Sequence, residues 1–151
     1  MRIGVLSDTH SARFEELPES IVNGLQGVNL IIHAGDFTEE SVLNGLRTIA
    51  EVKAVQGNMD SRAIKDFLPE VARFRAGNKT VCVTHGWGAP EGIAERVLQR
   101  CGEADVIVFG HSHEPYNSYH GNVLLFNPGK ATDSYGILHI DQKVSARIIA
   151  V

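Results

Sequence analysis

Ile3-Gly4-Val5-Leu6-Ser7-Asp8-Thr9-His10 is the stretch from which the rest of the chain is read. A short apolar run stops abruptly at polar residues, as buried parallel strands do, and its position at the amino end suits a central strand. Asp8 and His10, just past its end, are metal-ligand types. Further along, Asp36, Asn58, His85, His111 and His113 continue the series, at gaps of 2, 26, 22, 27, 26 and 2 residues. A βα unit consumes a comparable length of chain. The spacing therefore predicts that each ligand-type side chain follows a successive strand of one sheet and meets the others at a single edge, where open α/β sheets bind ligands. In Asp8-x-His10 and His111-x-His113 the i, i+2 spacing would put both side chains on one face of an extended chain.

The intervening residues fit that frame. Apolar spacing predicts helices over 16–26, 39–50 and 91–101, and at best a short one over 60–68. Leu30–Ile32, Val52–Val55 and Val106–Phe109 read as strands. Val71–Arg75 and Lys79–Thr84 alternate around Ala76-Gly77-Asn78 as a hairpin. Beyond Tyr116 only strands are expected: 117–119, 123–127, 135–140 and 143–150. The order is βαβαβ, a hairpin, βαβ, then antiparallel strands, a mixed α/β layered arrangement with more than one sheet.

Length and composition bound the rest. The 151 residues are expected to form a single domain, residues 1–151, with ordinary hydrophobic and charged fractions of 43% and 21%. A net charge of −4 without a basic run argues against a long nucleic acid as partner. No run is long enough for a membrane span or a signal-peptide core, so a cytoplasmic protein is expected. Cys82 and Cys101 belong to no CxxC pair and are expected to be two separate buried thiols in a reducing compartment.

Carboxylate, amide and imidazole donors without thiolate suit Mn²⁺, Fe²⁺, Zn²⁺, Ni²⁺ or Co²⁺ better than Mg²⁺. Asp36, with two oxygens and a central place in the series, is the natural bridge between two ions. Gly35, Gly57, Gly86 and Gly110 each adjoin a ligand-type residue and would let the backbone turn sharply there.

Asp8-Thr9-His10, Gly35-Asp36, Gly57-Asn58, His85-Gly86 and Gly110-His111-Ser112-His113, in order, resemble the five-part signature of the calcineurin-like metallophosphoesterases. His33-Ala34-Gly35-Asp36 and Asn127-Pro128-Gly129 narrow the resemblance to the small YfcE-like phosphodiesterases. The resemblance covers Ile3 to about Ile140. It implies a four-layer αββα sandwich of two mixed sheets flanked by helices, with a dinuclear metal centre between the loops of the two sheets. It also implies a homodimer or homotetramer and a small phosphodiester substrate. One ion would take Asp8, His10, Asp36 and His113, and the other Asp36, Asn58, His85 and His111, with Mn²⁺ the expected metal. A hydroxide bridging the ions would attack phosphorus in line. Asp36, Asn58 and His111 are the ligands expected to take part in catalysis as well.

One departure stands out. Relatives carry His or Cys after the asparagine, whereas Met59 stands here, and a thioether has no proton to give. Lys130, where relatives commonly have serine, is expected to face solvent, as are Arg13 and Arg62. Trp87 is expected either to cover the core or to stack on a substrate base. His33 is expected to orient the site through hydrogen bonds, and His120 and His139 to be structural. The competing reading is a non-catalytic metal-binding scaffold resembling the small subunit of retromer. Metallo-β-lactamases and amidohydrolases, which also use HxH, fit the remaining pattern badly.

Overall fold

The computed structural model describes residues 1–151. Its strands are β1 (Arg2–Leu6), β2 (Leu30–His33), β3 (Glu51–Ala54), β4 (Val71–Ala76), β5 (Lys79–Thr84), β6 (Val106–Val108), β7 (Tyr116–His120), β8 (Val123–Asn127), β9 (Ser134–Ile140) and β10 (Val144–Ala150). The helices are α1 (Glu19–Gly24), α2 (Glu40–Arg47), α3 (Arg62–Phe67) and α4 (Ile93–Cys101), with a 3-10 turn at Phe14–Glu16. None is long and apolar enough to cross a membrane.

Two five-stranded sheets form, in the orders β10-β9-β1-β2-β3 and β4-β5-β6-β8-β7. In the first, β1, β2 and β3 run parallel, and β9 and β10 are added antiparallel. In the second, β5, β6 and β8 are parallel, with β4 and β7 antiparallel on the edges. The ligand-bearing strands are therefore divided between two sheets, which corrects the expectation of one: β1, β2 and β3 precede Asp8, Asp36 and Asn58, while β5 and β6 precede His85 and His111.

Period-two alternation explains the layers. Ile3, Val5, Leu30 and Ile32 meet Val81, Val83, Val106, Val108 and Phe126 between the sheets. The opposite faces take the helices. Leu6 and Ile31 pack on Ile21 and Leu25 near α1 and on Val42, Leu43 and Leu46 of α2. Cys82, Ile107 and Leu125 pack on Ile93, Val97 and Cys101 of α4. This is the expected αββα sandwich of two mixed sheets.

Helices are shorter than the apolar spacing suggests. Pro18 forces Leu17 into extended backbone (φ −64°, ψ 141°), so α1 starts at Glu19, although Leu17, Ile21 and Leu25 are still buried. In α2 the last turn tightens, with the Thr48 and Ile49 N–H groups donating to Gly45 and Leu46. The cysteines overturn their reading: Cys82 and Cys101 form a disulfide across 19 positions of sequence. Cys82 faces α4 from the middle of β5, and Cys101 is in the last turn of α4, so packing brings together two residues that share no local motif.

Candidate metal centre

All seven ligand-type residues lie in the loops that leave β1, β2, β3, β5 and β6 at their carboxyl ends, and most are tied directly to one another. The i, i+2 pairs are not held as expected, however. Asp8 (φ 54°), His10 (47°), Asp36 (61°), His111 (69°) and His113 (64°) are left-handed, not extended. Such backbone costs a non-glycine residue roughly 1–2 kcal/mol. Cross-loop hydrogen bonds hold it. The Asp8 and His10 N–H groups donate to Gly35 and Asp36 carbonyls at 3.0 Å, and Gly110 N–H donates to His85 O at 3.0 Å.

The glycines beside the ligands let these loops close on each other. A Cβ on Gly57 would lie 2.1 Å from Asp36 Oδ1, and one on Gly110 would lie 1.8 Å from Ser7 Oγ. Both neighbours belong to the protein itself, so the close approach is loop to loop.

Asp8 and Asp36 are each fixed by one carboxylate oxygen and present the other. Asp8 Oδ2 accepts from Ser7 Oγ at 2.7 Å and from His111 N–H at 3.1 Å. Asp36 Oδ1 accepts from Met59 N–H at 2.8 Å. The remaining oxygens face imidazoles. Asp8 Oδ1 lies 3.5 Å from His113 Nε2 and 3.8 Å from both His10 and His85 Nε2. Asp36 Oδ2 lies 3.3 Å from His85 Nε2 and 3.6 Å from His10 Nε2. Two groups result that could hold a cation, Asp8-His10-His113 and Asp8-Asp36-His85. Asp8 is common to both, and Asp36 also reaches His10, so both aspartates sit between the two halves.

Neighbouring carbonyls fix two tautomers. His85 Nδ1 is 2.7 Å from Ala34 O, so Nδ1 carries a hydrogen, and in the neutral ring the lone pair falls on Nε2. That lone pair faces Asp36 Oδ2 and, at 3.1 Å, Asn58 Oδ1. Likewise His111 Nε2 donates to Gly88 O at 3.1 Å, which leaves Nδ1 as its lone-pair nitrogen. The His111 ring stands edge-on to His85 at 5.2 Å, and His10 stands similarly to His113 at 5.4 Å.

So many acceptors converging demand a positive charge between them. Asp8 Oδ1 and His10 Nε2 are buried without any hydrogen-bond partner. Burial pushes the His85 pKa down, but in the protonated ring the Nε2–H bond to Asp36 and the charges of Asp36 and Asp8 outweigh it and raise the value above its ordinary one. For Asp36, burial raises the pKa, and the His85 interaction with the Met59 N–H bond overcomes this and lowers it. Cation-binding donors, satisfied on one side and bare on the other, fit a divalent metal.

His33 plays the orienting part expected of it. Its Nδ1 accepts from Gly35 N–H at 3.1 Å, so Nε2–H donates to Thr9 Oγ1 at 3.2 Å, and Thr9 in turn reaches Asp36 O at 3.4 Å. The ring stacks on Phe37 at 3.6 Å. Burial, followed by the neighbouring His85, lowers its pKa to about 3. Arg13 is exposed and pairs with Glu16 at 3.3 Å, and Arg62 is exposed at the start of α3. Lys130 is half-buried, with its backbone N–H 3.4 Å from His113 O. Among the remaining histidines, His120 meets Tyr116 Oη at 2.7 Å, and His139 is exposed on β9.

Asp60 was missed by the sequence reading. Buried behind the site, its Oδ2 accepts from Asp36 N–H (3.0 Å) and Gly57 N–H (2.7 Å), and its Oδ1 from Thr38 N–H (2.8 Å). Its place three residues after Gly57 was the available signal, since aspartate commonly binds nearby backbone N–H groups in turns. Met59 contributes through its backbone, and its side chain is 58% exposed.

The chain is similar to known proteins. A probable metallophosphoesterase of Methanothermobacter thermautotrophicus is 37% identical over 99% of this chain and 92% of its own length. A phosphodiesterase of Methanocaldococcus jannaschii is 27% identical over 99% of both chains. In fold, Vps29 of Chaetomium thermophilum superposes with a TM-score of 0.81 at 19% identity, over 99% of this chain and 93% of its own. The profile of the calcineurin-like phosphoesterase superfamily domain matches residues 1–143. With the two-sheet sandwich and its loop-borne carboxylates and imidazoles, these findings make the chain a member of the calcineurin-like phosphoesterase superfamily.

Proposed function

We propose that the chain is a phosphodiesterase that works with two divalent ions, Mn²⁺ in the first place and Ni²⁺, Fe²⁺, Zn²⁺ or Co²⁺ as alternatives. The observation that carries this reading is the pair of buried atoms without partners, Asp8 Oδ1 and His10 Nε2, beside Asp36 Oδ2. Asp8, His10, Asp36 and His113 would hold one ion, and Asp36, Asn58, His85 and His111 the other. When bound, such ions lower the pKa of water and neutralise charge on phosphoryl oxygens.

The chain's own groups do the rest. Asn58 Oδ1 turns toward His85, which leaves its NH₂ to donate to a phosphate oxygen. Ser7, the Met59 N–H and the Asp60 carboxylate hold the loops and their aspartates in place. Nothing at position 59 can protonate a leaving oxygen. General-acid help is typically worth about 10²–10⁴-fold, so diesters with good leaving groups should turn over much faster than alkyl diesters.

Metal content of the purified protein, combined with hydrolysis of bis-p-nitrophenyl phosphate in added Mn²⁺, tests the proposal. Asp36→Asn and His85→Ala should each lose activity by on the order of 10²-fold or more, comparable with removing one preorganised charge-stabilising group. Tight metal binding without diesterase activity would sink the enzyme and favour the scaffold reading. Full activity in both variants would overturn the ligand assignment.

A further inference from the structure

A cleft of about 260 Å³ opens beside the Asn58 and His85 side of the site. Lys65, Glu70, Trp87 and Arg100 complete its walls. Trp87 is 41% exposed there, unusual for so large an apolar ring, and it is firmly held. Arg100 lies 5.1 Å over the ring and is itself paired with Glu70 at 2.8 Å. Arg96 Nε donates to Trp87 O at 2.9 Å, and its other nitrogens donate to the carbonyls of Ala89 and Glu91, which staples the loop. The result is a preorganised flat surface two residues past His85.

Lys65 supplies the second half. Its ammonium donates to Asn58 O at 3.0 Å and has no carboxylate partner, so the charge of the cleft is not cancelled there. A lysine has three donors, and two remain for a ligand. With Arg100 matched by Glu70, Lys65 is the cation of the cleft wall without a carboxylate partner, and it is held beside Asn58. At its size, below the roughly 300–1,000 Å³ of pockets that enclose drug-like ligands, the cleft suits one ring and its linker.

We propose that this cleft is a substrate subsite for a nucleotide-type ester group, with the base stacked on Trp87 and a sugar or phosphate oxygen on Lys65. The assignment rests on the phosphodiesterase reading and deepens it.

Trp87 is the chain's single tryptophan, so its fluorescence reports on this cleft alone. Mn²⁺-loaded protein is titrated with adenosine 5′-monophosphate and with ribose 5-phosphate, and the same ligands are followed by calorimetry. The nucleotide should quench Trp87 saturably and bind at least about fivefold more tightly than the sugar phosphate, given the worth of base–aromatic stacking. Trp87→Leu should weaken the nucleotide by roughly five- to hundredfold, and Trp87→Phe should restore most of the loss. Lys65→Met should weaken both ligands. Equal affinity for the two ligands, or an unchanged nucleotide affinity in Trp87→Leu, overturns the subsite.

A kinetic arm separates this proposal from the reading beneath it. In Trp87→Leu, the ratio of kcat/KM for thymidine 5′-p-nitrophenyl phosphate to that for methyl p-nitrophenyl phosphate should fall about tenfold, through KM. Diester hydrolysis with an unchanged ratio rejects the subsite alone. Nucleotide stacking in a protein that cleaves no diester rejects the enzyme and leaves a binding cleft.

Discussion

Asp60 and His33 show what residue type reveals and what it hides. Ligand-type side chains were legible because their chemistry is written in their identity, and seven in series leave few alternatives. Asp60 satisfies three backbone N–H groups from two loops. Nothing in its identity announces that task, because its partners are amides that every residue carries. His33 was legible as an orienting residue, since it stands three positions before Asp36, but its ionisation was not. Its folded pKa of about 3 lies below the ordinary value of 6.5, so the fold favours the neutral ring. Stability from this group is complete above about pH 6.5 and drains away as pH falls toward 3, by about 1.4 kcal/mol per unit. Asn in place of His33 keeps an acceptor for Gly35 N–H and cannot ionise. Urea unfolding from pH 7 to pH 4.5 should therefore show a shallower acid loss in His33→Asn than in the parent. Parallel curves would contradict this account.

At the level of elements, strands were read closely and helices too long. Strands end where the apolar run ends, whereas apolar residues such as Leu17 stay buried after the helix has stopped. The left-handed ligands were beyond sequence reasoning, because Asp8 and His111 owe their backbone to bonds with other loops. The Cys82–Cys101 bond was hidden for a related reason. A strand and the helix that crosses it make contact across 19 positions, a distance without a spacing rule. Closing a loop of that length is worth on the order of 3 kcal/mol. At about 2–4 °C per kcal/mol for a chain of this size, reductant should lower Tm by roughly 6–12 °C. Native intact mass, measured with and without reductant, should differ by two hydrogens. Two freely titrating thiols in the untreated protein would refute the pairing.

Taken whole, the molecule divides the ligands of its candidate metal centre between its two sheets. Asp8, His10, Asp36 and Asn58 follow strands of the first sheet, while His85, His111 and His113 follow strands of the second. A cation between Asp8 and His113, or between Asp36 and His85, thus joins the sheets as well as the loops. The αββα architecture was legible from element order and resemblance. Spacing alone did not give the division of ligands, because even spacing cannot distinguish consecutive strands of one sheet from a transfer to a second, whereas the resemblance implied a site between the loops of both sheets. Removing metal should therefore loosen the sandwich. Ion at 100 times its Kd adds about 2.7 kcal/mol for each site through linkage. Chelator should lower Tm in the parent and have little effect in Asp36→Asn, as differential scanning calorimetry would show. An unchanged Tm in the parent would mean that no ion bridges the sheets.

The sheet order also bears on the history of each newly made molecule. Strand β1 lies between β2 and β9, so it waits for residues 134–140 before both its edges are paired. The Asp8-His10-His113 group likewise needs most of the chain. Completion of that group is thus a late event in biosynthesis, and a ribosome stalled before β6 would hold a chain that has Asp8, His10 and Asp36 but still lacks His113.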